Sequence, residues 1–554
     1  MSEITLTRRP GANKWPGLLP LVAVALVAAL AGSVYYFSPM WQKEPLHPGN
    51  EPVLFYKGDA MPAGTVAYED DELYVSFSFI TEEIDRALVY DASGKTVIIT
   101  TRKNVYHLPL GSKDGWQNFE PYVLTYPAIE KEGVVYLPAD PLKDFYDLEL
   151  YEDKDAGLIR IYDRTQPMLT GQAVQESKLR KRNSLRSPWT ANLAAGETFT
   201  ILKEAAGWYW VETTDGRMGY LAEANAQLGP IDVPAPPAVQ IYPPWNPLSK
   251  PIIMSWEYAE FSTVNPAVLG ELGGLQVLSP TWFSLSADGV VLNRADKKYV
   301  DWAHQNGRQV WGLFSNSFDP ALTHAFLHDT ALRSKAIRQI LSLAELYNLD
   351  GINLDFENMY LQDKAAYVQF VRELAPPLHA AERLLTVDVT FHSKSENWSL
   401  CYDRAALAES ADYLMIMGYD EHGAGSSAAG SVSSLPWVEK GLQKMLEEVP
   451  AEKLILGVPF YTRLWTETTD AGGKKELRTK AYSMTMAQKW LAEHKAKIRL
   501  DEETGQNYAE VKSGNVLYRM WLEDEHSLCA RIELIKKYRL AGLAAWRRGY
   551  EPEE

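Results

Sequence analysis

Strand-like and helical segments alternate over about the last 300 residues of this 554-residue chain. That alternation predicts a C-terminal (β/α)8 TIM barrel within a multidomain protein. Two further observations complete the fold class. Short alternating strands between Asp/Gly turns predict two small β-rich domains upstream of the barrel. An uncharged apolar run near the N-terminus predicts a transmembrane helix.

The run Leu18–Phe37, LLPLVAVALVAALAGSVYYF, is about 20 residues long, enough to cross a bilayer. Arg8, Arg9 and Lys14 precede it, so the positive-inside rule makes residues 1–17 cytoplasmic and puts the rest of the chain outside. Trp15, Tyr35, Tyr36 and Phe37 stand where interfacial aromatic belts lie. The rival reading is a signal peptide cut near Ala29-Leu30-Ala31. The anchor is favoured because the apolar run continues past that site. Either way the working part is exported, to the extracytoplasmic side of a cell membrane.

Residues 50–165 carry the alternations ELYVSF, TVIITT, VVYLP and LIRIYD, broken by DASGK, GSKDG and EDKDAG. This segment resembles the N-terminal domain type first named in copper amine oxidases, which carries no copper chemistry. Residues 168–229 hold FTIL, WYWVET and MGYL, with an Asp215-Gly216 turn joining the last two. The W-x-x-V and D-G-x-x-G-Y-L patterns resemble the bacterial Src-homology-3-like barrel. That resemblance implies a module able to bind cell-wall polymer. Lys178, Arg180, Lys181, Arg182 and Arg186 form a basic cluster, read first as a solvated face and second as a contact for anionic polymer. The Pro-rich stretch 230–251 is a semi-rigid linker.

The barrel is expected over 252–554. Eight apolar runs are its strands: PIIMSW, LQVLSPTWFSL, RQVWGLF, GINLDFE, LLTVDVTF, YLMIMGYD, LILGVPFY and GLAAW. The stretch 462–521 between the last two is too long for one helix and loop, so it reads as an inserted subdomain. Composition narrows the partners. With 55 basic and 72 acidic residues the net charge is −17, which argues against nucleic acid. The two cysteines, Cys401 and Cys529, support neither a disulfide framework nor a cysteine metal site, and no metal or cofactor is expected.

In such barrels the chemistry sits at the C-terminal strand ends. On the fourth strand, residues two apart share a face, so Asn353, Asp355 and Glu357 point inward together. Two neighbouring carboxylates repel when both ionise, and one stays protonated to higher pH, as a general acid requires. Glu357, at the strand end, has the reach to be that acid, with Asp355 behind it as partner. Asp350 is out of phase and structural. Other strand ends offer Tyr419, Met417, Asp420 and Trp546. Trp256, Trp282, Trp311, Tyr461 and Trp465 could also line the cleft, and for each of them the core reading is at least even with the sugar-platform reading. His392 is read as structural, and the sequon Asn397-Trp398-Ser399 is discounted.

LDGINLDFE at 349–357 resembles the D-x-x-D-x-D-x-E signature of glycoside hydrolase family 18, and MGYD at 417–420 resembles its M-x-Y-D. Trp546 matches the tryptophan of that family's last strand. SPTWF, GVPFYTRLW and AAWRRGYE resemble its spore and cell-wall glucosaminidase subgroup. The resemblance implies substrate-assisted retaining hydrolysis. Glu357 would be the acid and base, Asp355 and Tyr419 would hold the substrate acetamido group, and Trp546 would stack under the sugar. Asn353, Met417, Asp420, Trp282 and Tyr461 would bind substrate. The implied substrate is peptidoglycan or a chitin-like polymer. Asn353 departs from the family's second aspartate and puts the pH profile in question. The alternative reading is a non-catalytic glycan-binding protein on the same barrel, and it is weakened by the presence of Glu357.

Overall fold

The computed structural model describes residues 18–47, 49, 51–154, 157–163, 166–233, 248, 251–259 and 272–552. Residues 1–17, with the flanking charges expected to orient the helix, and most of the Pro-rich linker lie outside these. Leu18–Phe37 is one α-helix of 20 residues. At about 1.5 Å per residue it measures about 30 Å, the thickness of a bilayer core. By length and composition this helix can cross a membrane.

The chain divides into two compact units, 1–86 with 129–239, and 87–128 with 240–554. The first unit holds both β-rich segments. A seven-stranded antiparallel sheet spans Met168–Asp232. Two four-stranded sheets come from the preceding segment, one of them built on parallel pairing of Val53–Tyr56 with Leu158–Asp163. The two segments share an apolar contact of Phe55, Trp210 and Met218. A nearly buried ion pair, Arg160 with Glu212 at 2.5 Å, lies beside it, and Tyr162 also donates to Glu212. The basic cluster is partly spent internally. Arg180 is buried and donates to the Met40 and Ser187 carbonyls, and Lys181 pairs with Glu44. Lys178 lies 4.5 Å over the Trp189 ring.

In the second unit eight parallel strands close a barrel. They are β1 Ile252–Glu257, β2 Val277–Pro280, β3 Gln309–Ser315, β4 Gly351–Asp355, β5 Leu384–Thr390, β6 Tyr413–Met417, β7 Leu454–Pro459 and β8 Gly542–Trp546. Each pairs in register with the next, and β8 returns to β1. All eight coincide with the apolar runs of the sequence. The period of two divides the side chains. Met254, Trp256, Trp311, Leu313, Met415, Ile455 and Ala544 fill the interior. The alternate set, such as Leu278, Ile352, Leu354, Val387 and Leu456, packs outward against the helices. Gly542 lets β8 approach β1: a Cβ there would lie 2.1 Å from the Ile252 carbonyl oxygen.

Two features depart from a plain barrel. Between β7 and β8 lies a five-stranded antiparallel sheet, Tyr461–Trp521, with the helix Met484–Glu493 across it. Arg531 and Glu523, both fully buried, form an ion pair beside it, and Arg531 also donates to the Ser433 carbonyl. The second departure is the five-stranded sheet Val89–Val123, which groups with the barrel although it falls inside the segment 50–165. The physical reason is apolar cover. Phe119 packs on the outer core under the Arg338 guanidinium, and His107 is buried, its imidazole pushed below its ordinary pKa by desolvation.

Candidate active site

The site is built at the C-terminal mouth of the barrel. β4 places Asn353 and Asp355 inside, and the chain runs on through Phe356 to Glu357. Asn358 then takes a positive φ of 52°, which turns the chain away from the strand. Asn316, just past β3, fixes the acid's backbone. Its Oδ1 accepts from the Glu357 N–H at 3.1 Å and its Nδ2 donates to the Glu357 carbonyl at 2.7 Å. The Tyr402 hydroxyl holds the neighbouring Phe356 carbonyl at 2.8 Å. The position of Glu357 is therefore set by backbone clamps, and among the described residues its carboxyl is not tied up by a side-chain hydrogen bond.

Electrostatics then set its protonation. Burial pushes the Glu357 carboxyl well above the usual carboxylate range, and the charges of Asp355 and Asp420 push it further. The Tyr419 hydroxyl is also driven well up, chiefly by burial, and so remains a donor at neutral pH. Tyr461 stands edge-on to Tyr419 at 6.1 Å and donates to Asp420 at 2.7 Å; Arg463 reaches the same oxygen at 3.2 Å. Asp420 has φ 62°, so the loop turns sharply after β6. Met417, at the end of β6, is buried. Trp546 ends β8 with part of its ring open, 6.0 Å from Trp256, and the peptide bond after it is cis. The structure brings Glu357, Asp355, Tyr419, Asp420, Tyr461, Met417 and Trp546 to one mouth.

Two expected substrate contacts are corrected. Trp282 is fully buried in the outer core, edge-on to Tyr299 at 5.3 Å, and shows no face to a sugar. Asn353 is also fully buried. Its Oδ1 accepts from Trp256 Nε1 at 2.9 Å and Ser279 Oγ at 3.1 Å, and its Nδ2 donates to Asp388 Oδ1 at 2.7 Å. It therefore positions other groups and does not meet substrate. Asp350 accepts from His304 at 2.8 Å and from the Val310 N–H at 2.8 Å, a structural use. Trp256, Trp311 and Trp465 are all core. His392 pairs with Glu448 at 3.2 Å, and burial lowers its pKa. Cys401 is buried with its thiol pushed up to about 11, and neither cysteine is in a disulfide.

Asp388, on β5, was missed. It is fully buried, and its carboxyl is raised well above the usual range by burial first and then by Asp355. It supplies from the next strand the second inner carboxyl that Asn353 cannot. A signal was present: one aspartate inside the apolar run LLTVDVTF, in inward phase, is a buried polar group that needs a reason.

Three family models match parts of the chain. Residues 311–551 match the model of glycosyl hydrolases family 18, 179–225 that of the bacterial dipeptidyl-peptidase Sh3 domain, and 58–161 that of the copper amine oxidase N-terminal domain. The uncharacterized glycosylase YvbX of Bacillus subtilis is 27% identical over 50% of this chain and 82% of its own length. The cortical fragment-lytic enzyme of the same organism is 27% identical over 43% of this chain and 56% of its own length. A chitinase structure from Chromobacterium violaceum shares 24% identity over 55% of this chain and 95% of that one, with TM-score 0.49. The family match lies on the strands that carry the acid pair, and together with the glycosylase and lytic-enzyme relatives it marks the chain as a glycoside hydrolase whose C-terminal barrel is similar to glycosyl hydrolases family 18.

Proposed function

We propose that the chain is an exported, membrane-tethered glycosidase that cleaves β-1,4 linkages after N-acetylglucosamine in peptidoglycan, with chitin-like polymer second. The observation that carries this reading is the geometry of the barrel mouth. Glu357, its backbone clamped by Asn316, follows Asp355 at the end of β4, with Tyr419 after β6 and the half-buried Trp546 at the end of β8. Burial, with the charges of Asp355 and Asp420, raises the Glu357 carboxyl above the usual carboxylate range. In substrate-assisted retaining catalysis Glu357 gives its proton to the glycosidic oxygen as the bond to the anomeric carbon breaks. The substrate's own acetamido oxygen attacks that carbon. Asp355 accepts the acetamido N–H, and the Tyr419 hydroxyl donates to the acetamido oxygen and orients it. Glu357, now ionised, takes a proton from the water that opens the intermediate. Asp420, Tyr461 and Met417 shape the pocket wall, and Trp546 stacks on the sugar.

Peptidoglycan is preferred over chitin because cortical fragment-lytic enzymes are among the relatives and a Sh3-type module precedes the barrel. The N-terminal helix, long and apolar enough to span, supports the tether. The test is mass spectrometry of products from purified peptidoglycan and from chitin oligomers. Glu357→Gln should lower turnover by about 10²–10⁴-fold, the usual weight of a general acid. Equal cleavage by the variant, or no cleavage of either polymer by the parent chain, would overturn the proposal.

A further inference from the structure

On the outside of the barrel the helix Pro320–Leu327 carries His324, and His328 closes it as C-cap. Spaced four apart, the two rings lie on one face, their centroids 4.5 Å apart. The chain that leaves Glu357 reaches the same place six residues later, in the short turn Leu361–Asp363 that opens the helix Lys364–Ala380. There both imidazoles meet one carboxylate oxygen. His324 Nδ1 is 2.6 Å and His328 Nε2 is 3.0 Å from Asp363 Oδ1, and the three donor atoms lie within 4.8 Å of one another.

Two further facts set this cluster apart from a pair of ordinary hydrogen bonds. Asp363 is fully buried, yet its second oxygen, Oδ2, has no hydrogen-bond partner among the described residues. It also stands at the N-cap of its helix and caps no amide, the task an aspartate there commonly performs. The carboxylate has forgone its local donors to face two histidines. Leaving a buried carboxylate half satisfied is costly unless a cation completes it.

We propose that His324, His328 and Asp363 form a site for one divalent ion of the imidazole-preferring class, Zn²⁺ first, completed by water. Two nitrogens and one oxygen suit Zn²⁺ and its neighbours, whereas Ca²⁺ and Mg²⁺ ask for oxygen shells. With bonds of about 2.0–2.2 Å, tetrahedral ligand atoms stand about 3.4 Å apart, so the nitrogens need retreat from the oxygen by under about 1 Å. Side-chain exposures of 41% and 49% for the two histidines leave an entry path. The bound ion pins the far end of the segment whose near end is Glu357, already held by Asn316. It takes no part in the sugar chemistry, and its absence would leave the glycosidase reading intact.

The test uses the full-length untagged chain in detergent, stripped with chelator and dialysed against Zn²⁺. One tightly held ion per chain is expected, with a Zn²⁺-dependent rise in unfolding temperature and, after Co²⁺ substitution, visible absorption of tetrahedral intensity. His328→Ala, at a half-exposed position where folding is not at risk, should weaken binding at least about tenfold and remove the Co²⁺ bands. His324→Ala with His328→Ala should abolish uptake while matching the chelated parent in circular dichroism. Absence of stoichiometric Zn²⁺ in the parent chain, or equal uptake and unchanged bands in His328→Ala, would overturn the proposal.

Discussion

Replacing Asp388 by asparagine isolates what the fifth strand contributes. The amide keeps an acceptor for Asn353 Nδ2, now bonded at 2.7 Å, so geometry survives and only the ionisable proton is lost. Neighbouring strands lie about 4.8 Å apart, which puts the inner carboxyls of β4 and β5 about 6 Å from one another. At an effective dielectric of about 20, two charges at that distance interact by about 3 kcal/mol. That corresponds to about two pH units, and water in the cleft trims it to about one. At high pH the last proton of the parent cluster leaves against the charges of its neighbours. With one fewer charge it leaves earlier, so the basic limb of kcat/KM should move down by about one unit. Turnover on the plateau should stay within about tenfold of the parent, since the acid itself remains. Stability follows with a definite sign. Glu357 and Asp388 both titrate above their unfolded values. The stability tied to them is complete below the usual carboxylate range and is lost as pH rises through the raised values. Asp388→Asn should therefore flatten the fall in unfolding free energy on the alkaline side. A basic limb unmoved within experimental error would refute the coupling of Asp388 to the acid.

Three other outcomes are expected alongside the loss of turnover in Glu357→Gln. Asn353→Asp replaces the donor facing Asp388 by another carboxyl, and should shift the acidic limb of the pH profile; an unchanged limb would sink the claim that this layer sets protonation. Trp282→Ala should lower stability by about 3–5 kcal/mol, read by denaturant titration, with KM unchanged, because the ring is core. A raised KM at intact stability would return Trp282 to the cleft. Arg531→Met should cost about 3–5 kcal/mol by leaving Glu523 buried and unpaired, and thermal unfolding at pH 7 would show it.

Much of the barrel was legible because its strands are buried on both faces and appear as apolar runs, one per strand. The acid pair was legible because a strand has a period of two, so Asp355 and Glu357 had to share a side. The mouth residues followed from strand order. What escaped were relations across strands and helices. Asp388 lay in plain view in LLTVDVTF, but its partnership with Asn353 depends on which strands adjoin. Trp282 looked like a platform because a tryptophan near a strand end can turn inward or outward, and packing on Tyr299 turned it outward into core. The sheet Val89–Val123 carries the same alternation as its neighbours in the sequence, and tertiary contacts, Phe119 on the outer core among them, group it with the barrel.

By itself the sequence determined the local periods: an apolar helix long enough to span a membrane, β-rich modules, eight barrel strands, and a carboxylate pair aimed inward on the fourth. The tertiary structure decided the electrostatic surroundings of Glu357 and the identity of the pair's neighbours. The physical reason is range. Backbone periodicity is written within a few residues, whereas burial and charge coupling arise between residues far apart in the chain, as Asn353, Asp388 and Trp256 are. The meeting of His324, His328 and Asp363 has the same origin, since no spacing in the sequence announces that two helices will bring them to one point.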